Sequence, residues 1–133
     1  MLYGKEHVER YRATDGEEGH DWQGTITLLL TTKGRRSGKE YTTPLIYQPE
    51  GDAYLVVASN GGADEYPSWY HNLEADPEVK VQVWGDRFTA QARTATPEEK
   101  PPLWRKMAAT WPDYDEYQKK TDRDIPVVIL ERV

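Results

Sequence analysis

The sequence predicts an α+β fold, a mostly antiparallel sheet of about six strands with short helices at its periphery. Three observations lead to this prediction. Segments rich in β-branched residues or with apolar–polar alternation recur along the chain. Short turn signals separate several of them, so neighbouring strands should pair as hairpins. The helical segments are short and do not alternate regularly with the strands, which argues against a Rossmann sheet. Consecutive hairpins favour closure of the sheet into a small barrel.

The six strand segments are residues 25–32, 41–48, 53–58, 78–84, 87–93 and 125–132. Pro44 places the second segment at an edge or a bulge. The PEGD turn at 49–52 predicts a hairpin between the second and third segments. The last segment, IPVVILER, is almost continuously apolar, as expected for a buried strand.

Short helices are predicted over residues 3–13, 68–76, 96–110 and 111–121. Pro67 and Pro77 delimit the second of them. Thr96 is predicted as the N-cap of the third, with Pro97 at its first helical position. Pro101 then interrupts that segment, so its main helix should begin there.

Length and composition restrict the class of protein. A chain of 133 residues favours one domain over 1–133, with an N-terminal helix and loop over 1–24. The formal net charge of -6 argues against nucleic-acid binding, which needs a basic face. Cysteine, a long apolar stretch and a secretory signal are absent from the sequence, so a cytoplasmic protein is expected. Five Trp and nine Tyr beside one Phe suit a site that stacks on a flat ring and also hydrogen-bonds it. The alternative is that they fill the core and surface of a small domain.

The segment TTKGRRSGKE at 31–40 concentrates lysine and arginine in an acidic chain. It is not a P-loop, because three residues separate its glycines and Glu40 follows Lys39. Arg35 and Arg36 can nevertheless fork onto a phosphate or carboxylate. Ser37 offers a hydroxyl, and the glycines let backbone N–H groups turn inward. This segment therefore predicts an anion site, with a solvated surface hairpin as the alternative.

A second stretch, VVASNGGADEYPSWYHN, begins as a buried strand and ends in a helix. Ser59 and Asn60 follow the strand as hydrogen-bonding groups, and the two glycines after them permit close backbone approach. The helix N-terminus after Pro67 favours negative charge, and Trp69 and Asn72 share one helical face. An ordinary glycine turn with a tryptophan in the core is the alternative. The histidines lack metal-ligand spacing, so no metal site is predicted.

In the third stretch, WPDYDEYQ, Trp111, Tyr114 and Tyr117 recur every three residues. On one helix they would form an aromatic ridge. Tyrosine phenols are protonated at neutral pH and can donate hydrogen bonds. A stripe facing the core is the alternative. The sequence contains no evident carboxylate pair, Ser-His-Asp set or activated lysine.

Taken together and in order, these stretches resemble the deazaflavin-dependent nitroreductase family. The resemblance runs from about Thr27 to Glu131 and rests on LLLTTxGRRSGxxxxTPLxY, VVASNGGA, PxWYxNLxAxPEVxVQV and WPxYxxYQxxTxRxIPVVxLE. It implies a reductase that uses the 5-deazaflavin coenzyme F-420. It also implies an FMN-binding split-barrel-like fold, the split β-barrel of the flavoreductases.

The resemblance implies a set of site residues. The basic loop would bind the anionic tail of the cofactor, a phosphate with a polyglutamate chain, and the next strand would run beside the ring. The implied cofactor-binding residues are Arg35, Arg36, Ser37, Lys39, Tyr41, Thr42, Thr43, Pro44, Val57, Ala58, Ser59, Asn60, Trp69, Asn72 and Tyr114. The implied catalytic residues, donors toward the acceptor, are Tyr114, Tyr117 and Ser59.

The chain departs from the family pattern at a few positions. Many members carry an arginine in place of Tyr41, which puts tail binding in doubt, although Lys33 is an extra cation that can compensate. Trp111 and Ile46 stand where some members have tyrosine. The substrate pocket is therefore expected to differ more than the cofactor pocket.

The implied reaction is hydride transfer from carbon 5 of the reduced deazaflavin to a quinone or nitroaromatic acceptor, for which the protein supplies binding, orientation and electrostatics. Reaching a quinone would call for peripheral contact with the inner face of the membrane. Two alternatives stay open: an FMN- or haem-related oxidoreductase on the same barrel, and a non-catalytic carrier of F-420.

Overall fold

The computed structural model describes residues 2–133 and contains four helices and eight strands in that part of the chain. The helices are α1 (Gly4–Thr14), α2 (Ser68–Ala75), α3 (Lys100–Thr110) and α4 (Asp113–Lys119), with a 3-10 turn at Asn60–Gly62. The strands are β1 (Asp21–Trp22), β2 (Thr25–Lys33), β3 (Glu40–Ile46), β4 (Gln48–Glu50), β5 (Ala53–Val57), β6 (Glu78–Val83), β7 (Asp86–Thr94) and β8 (Val127–Arg132). The six longer strands coincide with the six predicted segments, which confirms the α+β fold class.

The sheet is antiparallel and curled. β3 pairs with β2, β2 pairs with β6, and the order continues β7, β8, β5 and β4. The short strand β1 pairs with the start of β2. β3 and β4 are therefore the two ends of this order, yet only Tyr47 separates them in the chain. The sheet curls to bring its ends together, which is the predicted barrel-like closure.

The predicted hairpin between residues 41–48 and 53–58 is only partly correct. β3 pairs with β2 along its whole length, and β4 alone forms the hairpin with β5. Part of the predicted turn at 49–52 thus belongs to β4. Tyr47 marks the break, because its side chain is buried and its hydroxyl hydrogen-bonds His20 Nε2 at 2.8 Å. The contact with His20 thus lies where the predicted strand 41–48 divides into β3 and β4.

The third helix begins at Lys100, which agrees to within one residue with the main helix predicted from Pro101. Pro97, the predicted first helical residue of the whole segment, precedes it. The Thr96 N–H donates to Glu99 Oε1 at 2.9 Å, and the Glu99 N–H donates to Thr96 Oγ1 at 3.2 Å. This reciprocal pair has the pattern of a capping box. The Arg93 guanidinium bonds the same carboxylate and lowers the pKa of Glu99 to about 2. Thr96 therefore caps a turn that leads into α3 at Lys100.

The core follows the alternation of the strands. Leu28 and Leu30 of β2 point into the barrel, whereas Leu29 between them packs against Val8 and Tyr11 of α1. A second cluster lies between the opposite part of the sheet and α3 and α4, and it includes Leu55, Val57, Met107, Ile125 and Val127. Within residues 2–133, no helix is long and apolar enough to cross a bilayer.

Tyr11 fastens α1 to the sheet. Its side chain is fully buried, its hydroxyl donates to the Thr27 carbonyl at 3.0 Å, and it accepts from the Trp84 N–H at 2.9 Å. Burial raises the pKa of Tyr11 to about 12, while the Trp84 hydrogen bond acts in the opposite direction. One phenol therefore satisfies two backbone groups, one within β2 and one directly after β6.

Tyr11→Phe should reduce the free energy of unfolding by about 1–3 kcal/mol, because it leaves the Trp84 N–H without an acceptor. Urea unfolding measures this loss. Tyr3→Phe is the matched control, since Tyr3 is 62% exposed and its hydroxyl accepts a hydrogen bond from the exposed Gln23 side chain. Equal stability of both variants would show that the Tyr11 hydroxyl does not hold α1.

Candidate functional site

Two cavities adjoin the same strand, β3. The first, the basic cavity, has a volume of about 570 Å³ and lies between the β2–β3 turn and the start of α2. Its lining residues are Gly34, Arg35, Arg36, Ser37, Tyr41, Thr42, Thr43, Ser68, Trp69 and Asn72. Eight of these were predicted to bind the cofactor.

Asn72 organises the cationic side of the basic cavity. Its Oδ1 accepts from the Arg35 backbone N–H at 3.2 Å and from Arg35 Nη1 at 2.8 Å, and its Nδ2 donates to Thr32 Oγ1 at 3.2 Å. Asn72 is buried. Its amide therefore holds the arginine and the turn, so that Arg35 is positioned in advance of any ligand.

The remaining wall of the basic cavity combines donors with an aromatic surface. Ser68 begins α2, whose N-terminus favours negative charge. The Trp69 ring is buried beside it. Tyr41 is 51% exposed, and its hydroxyl lies 3.3 Å from Ser37 Oγ. Tyr41 thus supplies a polar group where a family arginine was expected.

Lys39 is a predicted cofactor residue that does not line the basic cavity. It follows the turn, and its carbonyl accepts from the Gly34 N–H at 2.7 Å. Its own N–H donates to Ser37 Oγ at 3.2 Å. Through these bonds Lys39 closes the turn that presents Arg35 and Arg36.

The second cavity, the aromatic cavity, has a volume of about 240 Å³. Its lining residues are Trp22, Pro44, Leu45, Ile46, Val57, Ser59, Gly61, Trp111, Tyr114 and Tyr117. The predicted residues Pro44, Val57, Ser59, Tyr114 and Tyr117 meet here. Residues 41–43 of β3 line the basic cavity and residues 44–46 line the aromatic cavity, so one strand connects the two.

Tyr114 and Tyr117 lie on α4 as predicted, with ring centroids 6.2 Å apart. Tyr114 is 5% exposed, and burial raises its pKa, with Tyr117 as a smaller cause in the same direction. Its hydroxyl makes no hydrogen bond within residues 2–133, yet no buried polar side-chain atom of these residues lacks a partner. The hydroxyl is therefore not fully enclosed. The raised pKa keeps it protonated at neutral pH, and Tyr114 lines the aromatic cavity as a potential donor.

Trp111 joins these tyrosines differently from the prediction. It follows the end of α3 and precedes α4, so the three aromatic residues do not share one helix. Trp22 of β1 lies 6.0 Å from Trp111, between ring centroids, and completes the wall. The sequence analysis missed Trp22, because a lone tryptophan in a polar loop carries no local signal of a site.

Ala58 and Asn60 were predicted to contact the cofactor but line neither cavity. Ala58 is fully buried, and its N–H donates to the Pro126 carbonyl at 3.0 Å. The Asn60 side chain donates to the Glu65 carbonyl at 3.1 Å. Gly62 explains the predicted close approach: it has a φ of +85°, and a Cβ there would lie 2.8 Å from the Tyr117 carbonyl oxygen. The segment thus packs directly on the helix that carries the tyrosines.

Arg123 holds this segment in place and was also missed. Its guanidinium donates to the carbonyls of Ser59 at 2.8 Å, Ala63 at 2.8 Å and Ala58 at 3.3 Å. It also lies over the Tyr66 ring, 4.7 Å from the centroid. More than 55 residues separate Arg123 from these partners, so no local pattern could reveal the contact.

Arg123→Ala should destabilise the protein by about 2–3 kcal/mol, because three carbonyls lose a charged donor. Amide exchange in residues 58–63 should accelerate more than exchange in the sheet. Arg123→Lys should recover only part of the loss, since one ammonium group cannot reach all three carbonyls. Arg10→Ala, which removes a surface ion pair with Glu18, should change stability by less than about 1 kcal/mol. Similar losses in Arg10→Ala and Arg123→Ala would contradict this role.

Among residues 2–133, no group of three or more His, Cys, Asp or Glu side chains is placed to hold a metal ion. The donors of the two cavities are instead guanidinium, hydroxyl and amide groups beside aromatic rings. Such donors suit an elongated organic ligand with an anionic end and a flat end.

Comparisons with known proteins agree with this geometry. The family model described as F420H(2)-dependent quinone reductase matches residues 3–132. An F420H(2)-dependent quinone reductase of Mycobacterium tuberculosis (strain ATCC 25618 / H37Rv) is 42% identical over 130 residues, which cover 95% of this chain and 87% of that protein.

Solved structures give the same result. A structure described as F420-H2 dependent reductase (FDR-A) has a TM-score of 0.73 at 42% identity, covering 79% of this chain and 93% of that one. A structure described as a domain-swapped dimer has a TM-score of 0.77 at 39% identity, covering 95% and 92%. A haem storage protein of Vibrio cholerae, at 15% identity and a TM-score of 0.59, shares the fold alone.

The predicted resemblance is confirmed, and the FMN- or haem-related alternative is not favoured. The chain belongs to the F420H(2)-dependent quinone reductase family.

Proposed function

We propose that this chain transfers a hydride from reduced coenzyme F-420 to a quinone, with the cofactor lying along β3. One observation carries the assignment of the site: consecutive residues of β3 line a cationic cavity and then an aromatic one. A ligand with an anionic tail and a flat ring matches that order.

The residues of the basic cavity fit the anionic part of the cofactor. Arg35 is already fixed by Asn72, and Arg36 and Ser37 add donors from the same turn. Two guanidinium groups and a helix N-terminus are suited to phosphate and carboxylate oxygens. We assign the tail of F-420 to these residues and its ring to the end of β3 near Pro44.

The aromatic cavity is assigned to the ring edge and to the acceptor. When bound, the cofactor supplies the hydride, and the protein contributes binding, orientation and electrostatics. Tyr114 lines this cavity and has a protonated hydroxyl, and Ser59 and Tyr117 line it as well. A quinone oxygen gains negative charge on reduction, so a fixed donor from Tyr114 stabilises it. Trp22 and Trp111 exclude water from the other side.

The experiment that tests this function mixes the protein with reduced F-420 and a panel of quinones and follows the loss of the reduced cofactor. We expect oxidation that depends on both protein and quinone. FMN in place of F-420 is the control, and it should bind weakly because it lacks a polyglutamate tail. Binding of F-420 without acceptor-dependent oxidation would instead indicate a carrier.

Nitroaromatic acceptors and contact with a membrane surface stay predictions from the sequence. The same assay with nitro compounds tests the first. Co-sedimentation with anionic and neutral vesicles tests the second, and failure to sediment would remove that prediction without affecting the reductase activity.

A further inference from the structure

A third cavity lies beside the start of α3 and shares no lining residue with the basic or the aromatic cavity. Its volume is about 630 Å³, larger than either of them. It is bounded by α3, by the end of β7 and by the segment before β8. The residues that matter for its chemistry are Tyr66, Tyr70, Lys100, Trp104, Arg105 and Asp124. We call it the α3 cavity.

Two cations line the α3 cavity without a carboxylate in direct ion-pair contact. Neither Lys100 nor Arg105 belongs to any of the ion pairs formed within residues 2–133. Lys100 is half-buried, and its Nζ lies 5.2 Å from the Trp104 ring centroid. Burial lowers the pKa of Lys100, and the Asp124 carboxylate partly opposes this shift. A partly desolvated ammonium without a paired carboxylate is stabilised by an incoming anion.

The walls of the α3 cavity are flat and aromatic. Tyr66 and Tyr70 stack with centroids 5.0 Å apart and planes inclined by 24°. The Tyr70 hydroxyl is already bonded to Thr94 Oγ1 at 2.7 Å, and the Trp104 N–H donates to Asp115 at 2.8 Å. The Tyr66 ring is already stacked on Tyr70 and lies under the Arg123 guanidinium, 4.7 Å from its centroid. The half-buried Trp104 ring, whose N–H is satisfied, is therefore the flat apolar surface left for a ligand. Flat apolar walls favour a planar ring.

We propose that the α3 cavity binds a planar aromatic carboxylate, with its anionic group on Lys100 and Arg105 and its ring against Trp104. The carboxylate of Asp124 lines the same cavity and disfavours a second negative charge on the ligand. A neutral quinone would leave both cations unpaired, so this site differs in chemistry from the acceptor site.

The test uses the full chain without F-420 and 2-naphthoate as the probe. Calorimetry should detect one saturable site, with an affinity about tenfold higher than for the neutral naphthalene-2-carboxamide, because the amide cannot form a charge-assisted contact. In NMR spectra of ¹⁵N-labelled protein, 2-naphthoate should shift the indole N–H signal of Trp104. The signals of Trp22 and Trp111 report on the aromatic cavity and should stay in place.

Lys100→Gln should weaken 2-naphthoate binding about tenfold, and Arg105→Gln should act in the same direction. Lys119→Gln, which removes a surface lysine paired with Glu116, is the matched control and should bind as the parent does. Melting temperatures establish that each variant is folded. The proposal is overturned by the absence of saturable binding, by equal affinity for acid and amide, by undiminished affinity in both cavity variants, or by shifts confined to Trp22 and Trp111. None of these outcomes depends on F-420. Failure of this proposal would therefore leave the proposed reductase function untouched, which the quinone assay tests separately.

Discussion

Replacing Arg35 and Arg36 together by alanine should weaken F-420 binding by about 10- to 100-fold at low ionic strength, because two charge-assisted contacts to the anionic tail are lost. Both side chains are exposed on the β2–β3 turn. Their attraction is therefore screened by salt, and the difference from the parent protein should shrink as salt is added. Fluorescence titration with F-420 at two salt concentrations measures both effects.

The single variants should differ in a way that follows from Asn72. Arg35 is held by two hydrogen bonds to the Asn72 carbonyl oxygen, so it loses less rotamer freedom when the tail binds. Arg35→Ala should therefore cost more affinity than Arg36→Ala. Asn72→Ala should also weaken binding, since it releases Arg35 without removing a charge. The ranking Arg35→Ala, then Asn72→Ala, then Arg36→Ala is the expected result.

Arg132→Ala provides the matched control, because Arg132 is an exposed arginine paired with Asp86 away from both cavities. It removes one positive charge from the surface, as each single variant does, and should leave F-420 affinity within about twofold of the parent. If the double variant bound F-420 as tightly as the parent, the basic cavity would not be the tail site. An equal loss in Arg132→Ala would indicate a general charge effect instead.

The elements of this fold were predictable where the signal is local. The alternation of Val79, Val81 and Val83 predicts β6, and two of them, Val79 and Val81, are almost fully buried. The cationic turn was also recognisable, because its arginines are neighbours in sequence. What stayed hidden were contacts between distant segments. The Arg35–Asn72 bond spans 37 positions, and the Arg123 contacts span about 60.

The division of β3 between the two cavities explains why many of the predicted site residues lie close together. A strand turns successive side chains to opposite faces, yet its backbone passes both cavities in order. Residues 41–44, which the family resemblance implies for the cofactor, therefore follow one another along the two cavities. The resemblance implies Ala58 and Asn60 as well, but there the chain has already left β5. The Asn60 side chain donates to the Glu65 carbonyl instead, and the Ala58 N–H donates to the Pro126 carbonyl.

Tyr114→Phe should lower the maximal rate of quinone reduction and its specificity constant together, by about 10- to 1000-fold. The phenyl ring preserves the packing against Trp104 and Tyr117, whose ring centroids each lie 6.2 Å away. Only the donor that faces the aromatic cavity is removed. The affinity for F-420 and the melting temperature should change little, because the hydroxyl makes no hydrogen bond to residues 2–133.

Tyr114→Ala separates packing from chemistry at the same position. It should reduce the free energy of unfolding by about 3–5 kcal/mol, as truncation of a buried aromatic side chain does. Tyr47→Phe is the complementary control, because Tyr47 is also buried but its hydroxyl bonds His20 and lies outside the aromatic cavity. It should lose stability and keep its rate, the opposite of Tyr114→Phe. Steady-state kinetics and thermal melting of the three variants decide the matter. A fully active Tyr114→Phe would assign Tyr114 to the core alone and leave the developing negative charge to Ser59, Tyr117 or water.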